Sequence, residues 1–563
     1  MTPAKEERSV PHPLFERHAA TLERALAAIA DRGDWSAFSE SPSPKVYGEG
    51  AAEAGKAAFD ALRDKPFPLE QPGTIGRVGN ENSPYGFPLG ITYPKADLDA
   101  LFKAIAEAES QWRKAGPEAW VGVCAEILSR VNRESFLFAN TVMHTTGQAF
   151  MMAFQAGGPH AQDRGLEAIA YAWAEMKRIP ARAYWEKPQG KGEPLRMEKR
   201  FRIIPRGVGL VIGCCTFPTW NGFPGFFADL ATGNAVVVKP HPAAILPLAL
   251  LVKIAREVLS GAGFDPNVVT LVAHDAGDAI ARTLALRPEV RIIDFTGSAA
   301  NGNWLEANAR QAQVYTEKSG VNQIVVDSAD DFKGVARNIA FSLALYTGQM
   351  CTAPQNVYVP KAGIGTADGP MTFDQVVAGI GEAVQKLLGE PARAVEILGA
   401  VVNDGVMQRL EAARKLGPIA LDTQAIAHPA FPRARIRTPL IVRLDAADRE
   451  KYLSEWFGPI AFVIATESTD QGLAIVADAV KSHGALTLSV YSRDQDVIDR
   501  AIDVAENTGV ALSINLTGGV FVNQSAAFSD FHGTGANPAA NSALTDSAFV
   551  ASRFRVVQHR EHV

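Results

Sequence analysis

From residue 207 onward the chain alternates short apolar runs with amphipathic ones, and this alternation restricts its fold more than any other feature. Residues 207–213, 235–239, 268–272 and 290–295 read as strands, each apolar or β-branched and bounded by Gly, Asn or Pro. Between them, 223–232, 244–259 (closed by Gly261) and 276–286 read as helices. Strands separated by helices at this spacing build a parallel sheet with crossover helices. Such a sheet binds ligands at the carboxyl ends of its strands. The second half repeats the pattern, with strands at 323–326, 356–359 and 487–491 and helices at 373–388 and 495–506.

The region before residue 207 reads differently. It is mostly helical, with apolar residues at three- and four-residue spacing over 97–115 and 119–146. A turn-rich stretch, 187–194, precedes an alternating run at 195–204 that reads as an exposed strand. With 563 residues the chain exceeds what one hydrophobic core supports, so two or three domains follow.

Composition closes off several functions. Hydrophobic residues at 47% and charged residues at 21% describe a globular protein. A formal net charge of −6 gives no basic footprint for nucleic acid. The start, residues 1–10, is polar and lacks the apolar core of a secretory signal. The longest apolar stretch, 207–227, is interrupted by Pro218, Asn221 and Pro224, so no membrane span is expected. Cys124, Cys214, Cys215 and Cys351 show neither metal-ligand spacing nor a disulfide framework. A reducing cytoplasm and no resident metal are the expectation.

Cys351 lies in Gly348-Gln349-Met350-Cys351-Thr352-Ala353-Pro354-Gln355. A free cysteine is more often a small core residue than a catalyst. Here Gly348 and Pro354 bracket it and the polar Gln349, Thr352 and Gln355 surround it, an environment unlike a packed core. A thiol on such a turn can be an exposed nucleophile. Glu317, 34 positions earlier in Tyr315-Thr316-Glu317-Lys318-Ser319-Gly320, closes an alternating run at a turn. A carboxylate brought to the same cleft can serve as a base. Lys239 ends the strand Ala235-Val236-Val237-Val238-Lys239-Pro240, and Gly297-Ser298-Ala299-Ala300-Asn301-Gly302 follows a strand and opens a helix. Free amides at a helix start suit an anionic ligand. Glu455-Trp456-Phe457-Gly458-Pro459 precedes another apolar run.

These words, in this order, resemble the aldehyde dehydrogenase superfamily. Its G-Q-x-C-x-A, V-x-K-P, F-T-G-S-x-x-x-G and E-x-F-G-P elements match Cys351, Lys239, Gly297 to Gly302 and Glu455 with Phe457. Its E-L-G-G-K word survives only as Glu317 and Gly320. The resemblance implies an α/β fold with a Rossmann-type nucleotide-binding domain (1–182 and 207–316, including the helical N-terminal region). A catalytic α/β domain (317–530) and a small β oligomerisation arm (183–206 and 531–563) complete it. It also implies that Cys351 attacks an aldehyde and that Glu317 activates the water releasing the acid. Lys239, Gly297, Ser298, Gly302, Glu455 and Phe457 are then expected to hold the cofactor. Exposed arm strands need partners, so a homodimer or larger homo-oligomer is expected.

Two departures bear on the chemistry. Relatives carry P-W-N-F-P before the V-x-K-P strand, and that Asn stabilises the oxyanion with the cysteine's backbone N–H. An ungapped alignment puts Thr216 at its place; a shifted loop puts Asn221 there instead. NAD-preferring relatives carry Glu three residues after the lysine, where this chain has Pro242, after His241. Removing that acid lowers the barrier to a 2′-phosphate, so NADP is the expected cofactor, with NAD as the alternative. The family's S-G-x-G-R-E element survives only as His532-Gly533-Thr534-Gly535-Ala536-Asn537.

The N-terminal region with Asn80-Glu81-Asn82-Ser83-Pro84-Tyr85-Gly86, and the stretch Phe217-Pro218-Thr219-Trp220-Asn221, look most like the phenylacetate-degradation PaaN group. That likeness implies oxidation of a coenzyme A-linked semialdehyde from an opened aromatic ring. With the chain ending at Val563, no fused hydratase domain is expected. Phe217, Trp220, Phe154, Met151 and Met152 are candidates for an apolar substrate tunnel. Competing expectations are a coenzyme A-acylating dehydrogenase, a non-catalytic member that binds nucleotide or a partner, and a thiol redox sensor.

Overall fold

The computed structural model describes residues 12–318 and 320–563; the polar stretch 1–10 and Ser319 lie outside the described residues. Two parallel sheets carry the molecule. In the first, the spatial order is Gln313–Lys318, Val290–Gly297, Val208–Ile212, Ala235–Lys239, Val269–Leu271, all parallel. The order reverses direction between Val208–Ile212 and Val290–Gly297, which makes the carboxyl ends of those two strands the ligand-binding crevice. Register fixes what lies on that edge: Lys239 beside Ile212, Ile212 beside Phe295, Thr296 beside Glu317 and Gly297 beside Lys318.

The second sheet runs Ile419–Leu421, Leu440–Asp445, Ile460–Thr466, Asn356–Pro360, Gln323–Val326, Thr487–Tyr491, Ala511–Ile514. Only Ile419–Leu421 is antiparallel to its neighbour. Its inner strands are buried on both faces, successive side chains meeting helices on opposite sides. Ile324 and Val326 pack with Phe332–Ala344 and Phe373–Leu387 on one side. Val325 packs with Thr469–His483 and Gln495–Thr508 on the other. The chain passes from the first sheet to the second within a few residues after Lys318, through Gly320, Val321 and Asn322. There is little room in that passage: a Cβ on Gly320 would lie 2.9 Å from the Gly484 carbonyl, which also accepts the Val321 N–H at 2.8 Å.

A third, antiparallel sheet stands apart from the core. Phe554–His562 and Arg182–Gln189 flank the long strand Gly192–Pro205, and the hairpin turns at Gly190 with φ of 56°. Tyr184, Trp185, Leu195, Val556 and Val557 on it are exposed. No helix among the described residues is long and apolar enough to cross a membrane.

Several elements differ from the sequence reading. Helix Pro218–Ala231 begins five residues before the expected 223, because Pro218 occupies its first turn, where its fixed φ favours helix. The helix expected over 276–286 shrinks to Ile280–Ala285, since Gly277 takes φ of 95° and breaks its start. The run 119–146 is two helices, Pro117–Arg133 and Ser135–Thr146, divided at Glu134. Within the otherwise helical N-terminal region, Thr74–Val78 pairs with Tyr93–Ala96.

Candidate active site

The nucleophile candidate follows a strained turn. After helix Phe332–Ala344 the chain takes three consecutive left-handed residues: Tyr346 (φ 52°), Thr347 (φ 54°) and Gly348 (φ 61°). For Tyr and Thr this conformation costs roughly 1–2 kcal/mol each. Side-chain bonds hold it: Tyr346 donates its hydroxyl to the Thr146 carbonyl at 2.5 Å and Thr347 to the Leu398 carbonyl at 2.7 Å. Gly348 is required twice over, since a Cβ there would lie 2.4 Å from the Gly458 carbonyl oxygen. The Cys351 turn thereby packs directly on the Glu455–Pro459 loop. Gln349, Thr352 and Gln355 are buried rather than exposed. Burial is tolerated because each is saturated. Gln349 donates to Tyr346 and Ala400 and accepts from Val402, Thr352 donates to Asn523, and Gln355 donates to Tyr452 and accepts from Trp456.

Cys351 itself is half-buried and faces Glu317 and His532. Reactive atoms of the three lie within 4.8 Å of one another. His532 Nε2 is 3.1 Å from Glu317 Oε1 and 3.8 Å from Cys351 Sγ. Asn221 donates its amide to Glu317 Oε2 at 2.8 Å. Thr216 turns elsewhere: its hydroxyl points to Cys214 Sγ at 3.9 Å, and its carbonyl accepts from Gln148. Asn221, Glu317, Ile212, Phe295, Thr316 and Leu544 line one cavity at the carboxyl edge of the first sheet.

Electrostatics separates the thiol from the carboxylate. Burial pushes the Cys351 thiol well above its ordinary value, and the adjacent Glu317 charge pushes the same way. Burial also raises Glu317, but the His532 imidazole, the Cys351 thiol and the Asn221 amide outweigh it and leave the carboxyl below its ordinary value. In this state the cysteine keeps its proton and the glutamate is the anion.

Sequence reasoning missed two residues. Asn322 donates its amide to the carbonyls of Cys351 (2.7 Å) and Ala353 (3.0 Å) and accepts the N–H groups of Leu486 and Thr487, at 2.9 and 3.0 Å. All four bonds fix the Cys351 turn to the second sheet. His532 lies in the divergent His532-Gly533-Thr534-Gly535 word, which read only as a lost motif. Its one available signal was that a histidine is the residue type suited to proton work near neutral pH.

Of the expected cofactor residues, Lys239 and Gly297 end strands at the carboxyl edge of the first sheet, Ser298 and Gly302 follow in the helix after it, and Glu455 and Phe457 lie on the loop packed on the Cys351 turn. Burial brings the Lys239 ammonium down to about 8. Ser298 caps helix Ala299–Asn308, accepting the Asn301 N–H at 3.4 Å. Gly302 permits that helix to lie close to the sheet: a Cβ would stand 2.5 Å from Lys318 Cγ. Gly297 is likewise confined by the Phe295 ring. Glu455 and Phe457 are half-buried, and Arg409 donates to the Phe457 carbonyl at 2.8 Å. A helix start, a buried ammonium and a crevice at the strand reversal fit a dinucleotide. Of the tunnel candidates, Met152 and Trp220 pack with Met350 around Cys214, Phe217 and Tyr346, whereas Phe154 is buried against Phe136 and Ala139 and Met151 is exposed.

Known proteins match this arrangement. A crystal structure described as an NAD-dependent aldehyde dehydrogenase from Burkholderia multivorans is 66% identical. It superposes with a TM-score of 0.97 over 98% of this chain and 100% of its own. A 1-pyrroline-5-carboxylate dehydrogenase of Geobacillus thermodenitrificans is 25% identical over 77% of this chain and 78% of its own length. A lactaldehyde dehydrogenase of Escherichia coli is 26% identical over 73% and 81%. Residues 92–537 match the model of the aldehyde dehydrogenase family. The chain therefore belongs to the aldehyde dehydrogenase family and is an oxidoreductase of the aldehyde group.

Proposed function

We propose that the enzyme oxidises an aldehyde to a carboxylic acid through a covalent intermediate on Cys351, with Glu317 as the hydrolytic base. The observation that carries this reading is the convergence of Cys351, Glu317 and Asn221 beside the carboxyl edge of the first sheet. Cys351 gives up its proton to Glu317 and its sulfur bonds to the aldehyde carbon, forming a thiohemiacetal. The backbone N–H of Cys351 and the amide of Asn221 hold the oxyanion. Asn221 is preferred to Thr216 because its side chain already reaches Glu317. Lys239, Gly297, Ser298, Gly302, Glu455 and Phe457 bind and orient an NAD(P) cofactor, which when bound supplies the hydride acceptor. Glu317, having passed the cysteine's proton on to solvent, then takes a proton from water, whose oxygen attacks the thioester carbon; the carbon–sulfur bond breaks and the Cys351 thiolate leaves.

Both NAD and NADP are accepted in this reading. Pro242 offers no carboxylate against a 2′-phosphate. Burial, then the neighbouring Lys239 and His274, bring the His241 imidazole down to about 4, so it is neutral. Its Nδ1 accepts the Ala243 N–H at 3.1 Å, which leaves Nε2–H as a donor to a ribose hydroxyl or a phosphate. The substrate is a semialdehyde with an apolar body, as in PaaN-type aromatic catabolism, because Met152, Trp220 and Met350 flank the site around Phe217. The relatives' names make 1-pyrroline-5-carboxylate a second substrate to test. A second copy of the chain covers the exposed arm sheet.

The test is reduced-cofactor absorbance over a panel of aliphatic, aromatic and carboxylated aldehydes, with NAD or NADP, for wild type and Cys351→Ala. Turnover that vanishes in the variant supports the reading. Coenzyme A raising the rate would shift it to acyl transfer. A redox role would survive only if no aldehyde turned over.

A further inference from the structure

We infer that His532 is a positioning residue for the hydrolytic step, its ring Nε2 standing beside the Glu317 carboxylate and keeping it against Cys351. This rests on the Cys351–Glu317 chemistry proposed above. Geometry supplies the argument. His532 is buried and its backbone is clamped to Leu544 in both directions, N–H to carbonyl at 3.1 and 3.0 Å. The Trp220 ring meets its imidazole edge-on at 4.6 Å. Nε2 then points between Glu317 Oε1, at 3.1 Å, and Cys351 Sγ, at 3.8 Å.

The network on the far side sets the tautomer. Arg164, fully buried and paired with Glu167 at 2.8 Å, donates to Ser525 Oγ at 3.3 Å. Ser525 Oγ is 3.5 Å from His532 Nδ1. Because the hydroxyl oxygen already accepts from a guanidinium, its hydrogen is free to turn to Nδ1. With Nδ1 accepting from Ser525, the ring hydrogen resides on Nε2, 3.1 Å from Glu317 Oε1 but not in line with it, so the contact is electrostatic rather than a formed hydrogen bond. An acceptor nitrogen at 3.1 Å from an anionic oxygen would repel it.

The titratable and charged groups facing Glu317 are His532, Cys351 and Cys214. Lys318 turns its ammonium to Glu306, and Arg164 is engaged by Glu167. His532 is thus the group that offsets the burial of the carboxylate from its open side. In the hydrolytic step water loses a proton to Glu317 and its oxygen bonds to the acyl carbon. The carbon–sulfur bond breaks, and the leaving thiolate recovers that proton from the Glu317 carboxyl. His532 takes no part in these proton transfers; its Nε2 stands beside Glu317 before attack and within reach of the thiolate after it.

The test needs neither cofactor nor the natural aldehyde. With 4-nitrophenyl acetate, the nitrophenolate burst reads acylation of Cys351, and the steady state reads hydrolysis of the acyl-enzyme. In His532→Phe the burst should remain stoichiometric while steady-state hydrolysis falls about tenfold or more. Its acid limb should move to higher pH, since burial then dominates at Glu317. His532→Gln, which retains an N–H donor, should restore most of both. Wild-type hydrolysis and pH profile in His532→Phe, or no difference between the Gln and Phe variants, overturns the inference. If His532→Phe does not fold, His532→Asn, whose amide is too short to reach Glu317, is expected to show the same loss. A wild type without a burst, or a burst that persists in Cys351→Ala, instead overturns the underlying Cys351 reading.

Discussion

Two polar clusters are buried side by side beneath the carboxyl edge of the first sheet, and they use charge in opposite ways. In one, the fully buried Arg553 donates to Asp229 at 2.6 Å and twice to Asp294, at 2.6 and 2.8 Å, with Tyr315 and Phe549 stacked on its guanidinium. Every Arg553 donor there meets an acceptor, while Asp229 Oδ2 has no hydrogen-bond partner and burial, with Asp294 beside it, pushes the Asp229 carboxyl well above its ordinary value. In the other, Glu317 accepts from Asn221, has His532 Nε2 beside it and faces a thiol that keeps its proton. The first cluster locks helix Pro218–Ala231, strand Val290–Gly297 and the C-terminal segment together. The second holds a proton that can be moved. The contrast lies in the partner: a permanent guanidinium holds the first pair of carboxylates, whereas a thiol faces the second.

Substitutions can break this contrast. Cys351→Ala should abolish aldehyde oxidation, measured as reduced-cofactor formation, with thermal stability at the wild-type level. Arg553→Met leaves two carboxylates buried without their cation and should cost about 3–5 kcal/mol, read by denaturant unfolding. An equal stability loss in Glu317→Gln would erase the distinction between the clusters; the expectation is near-wild-type stability with turnover reduced about 100-fold or more. Asn221→Ala should lower turnover by about 100-fold, whereas Thr216→Val leaves it close to wild type. Last and smallest, Gly302→Ala should raise the cofactor KM a few-fold while kcat holds, because the new methyl presses on Lys318 rather than on the reacting groups.

Much of the scaffold was legible because local chemistry and tertiary role coincide. The run Ala235–Lys239 is β-branched, bounded by Gly233-Asn234 and Pro240, and it is a central buried strand. Cys351 and Glu317 were legible as words. What failed were positions decided by register rather than by type. Helix Pro218–Ala231 starts one turn early, and that turn carries Asn221 to Glu317 while Thr216 stays behind on Cys214. Asn322 looks like any turn residue until its four bonds are seen. His532 is 181 positions from Cys351, on a loop whose sequence departs from the family word, and only the clamp to Leu544 brings it in.

The passage through Gly320, Val321 and Asn322 has a consequence for recombination. It joins the strand bearing Glu317 to the sheet bearing Cys351, and its last residue grips the Cys351 turn directly. The connector is therefore a ruler. Chimeras that exchange the first sheet between relatives are expected to keep activity only when this segment travels unaltered in length, since one inserted residue would displace Glu317 from Cys351. The Gly190 hairpin, far from both, is where a crossover or an inserted tag should leave the chemistry intact.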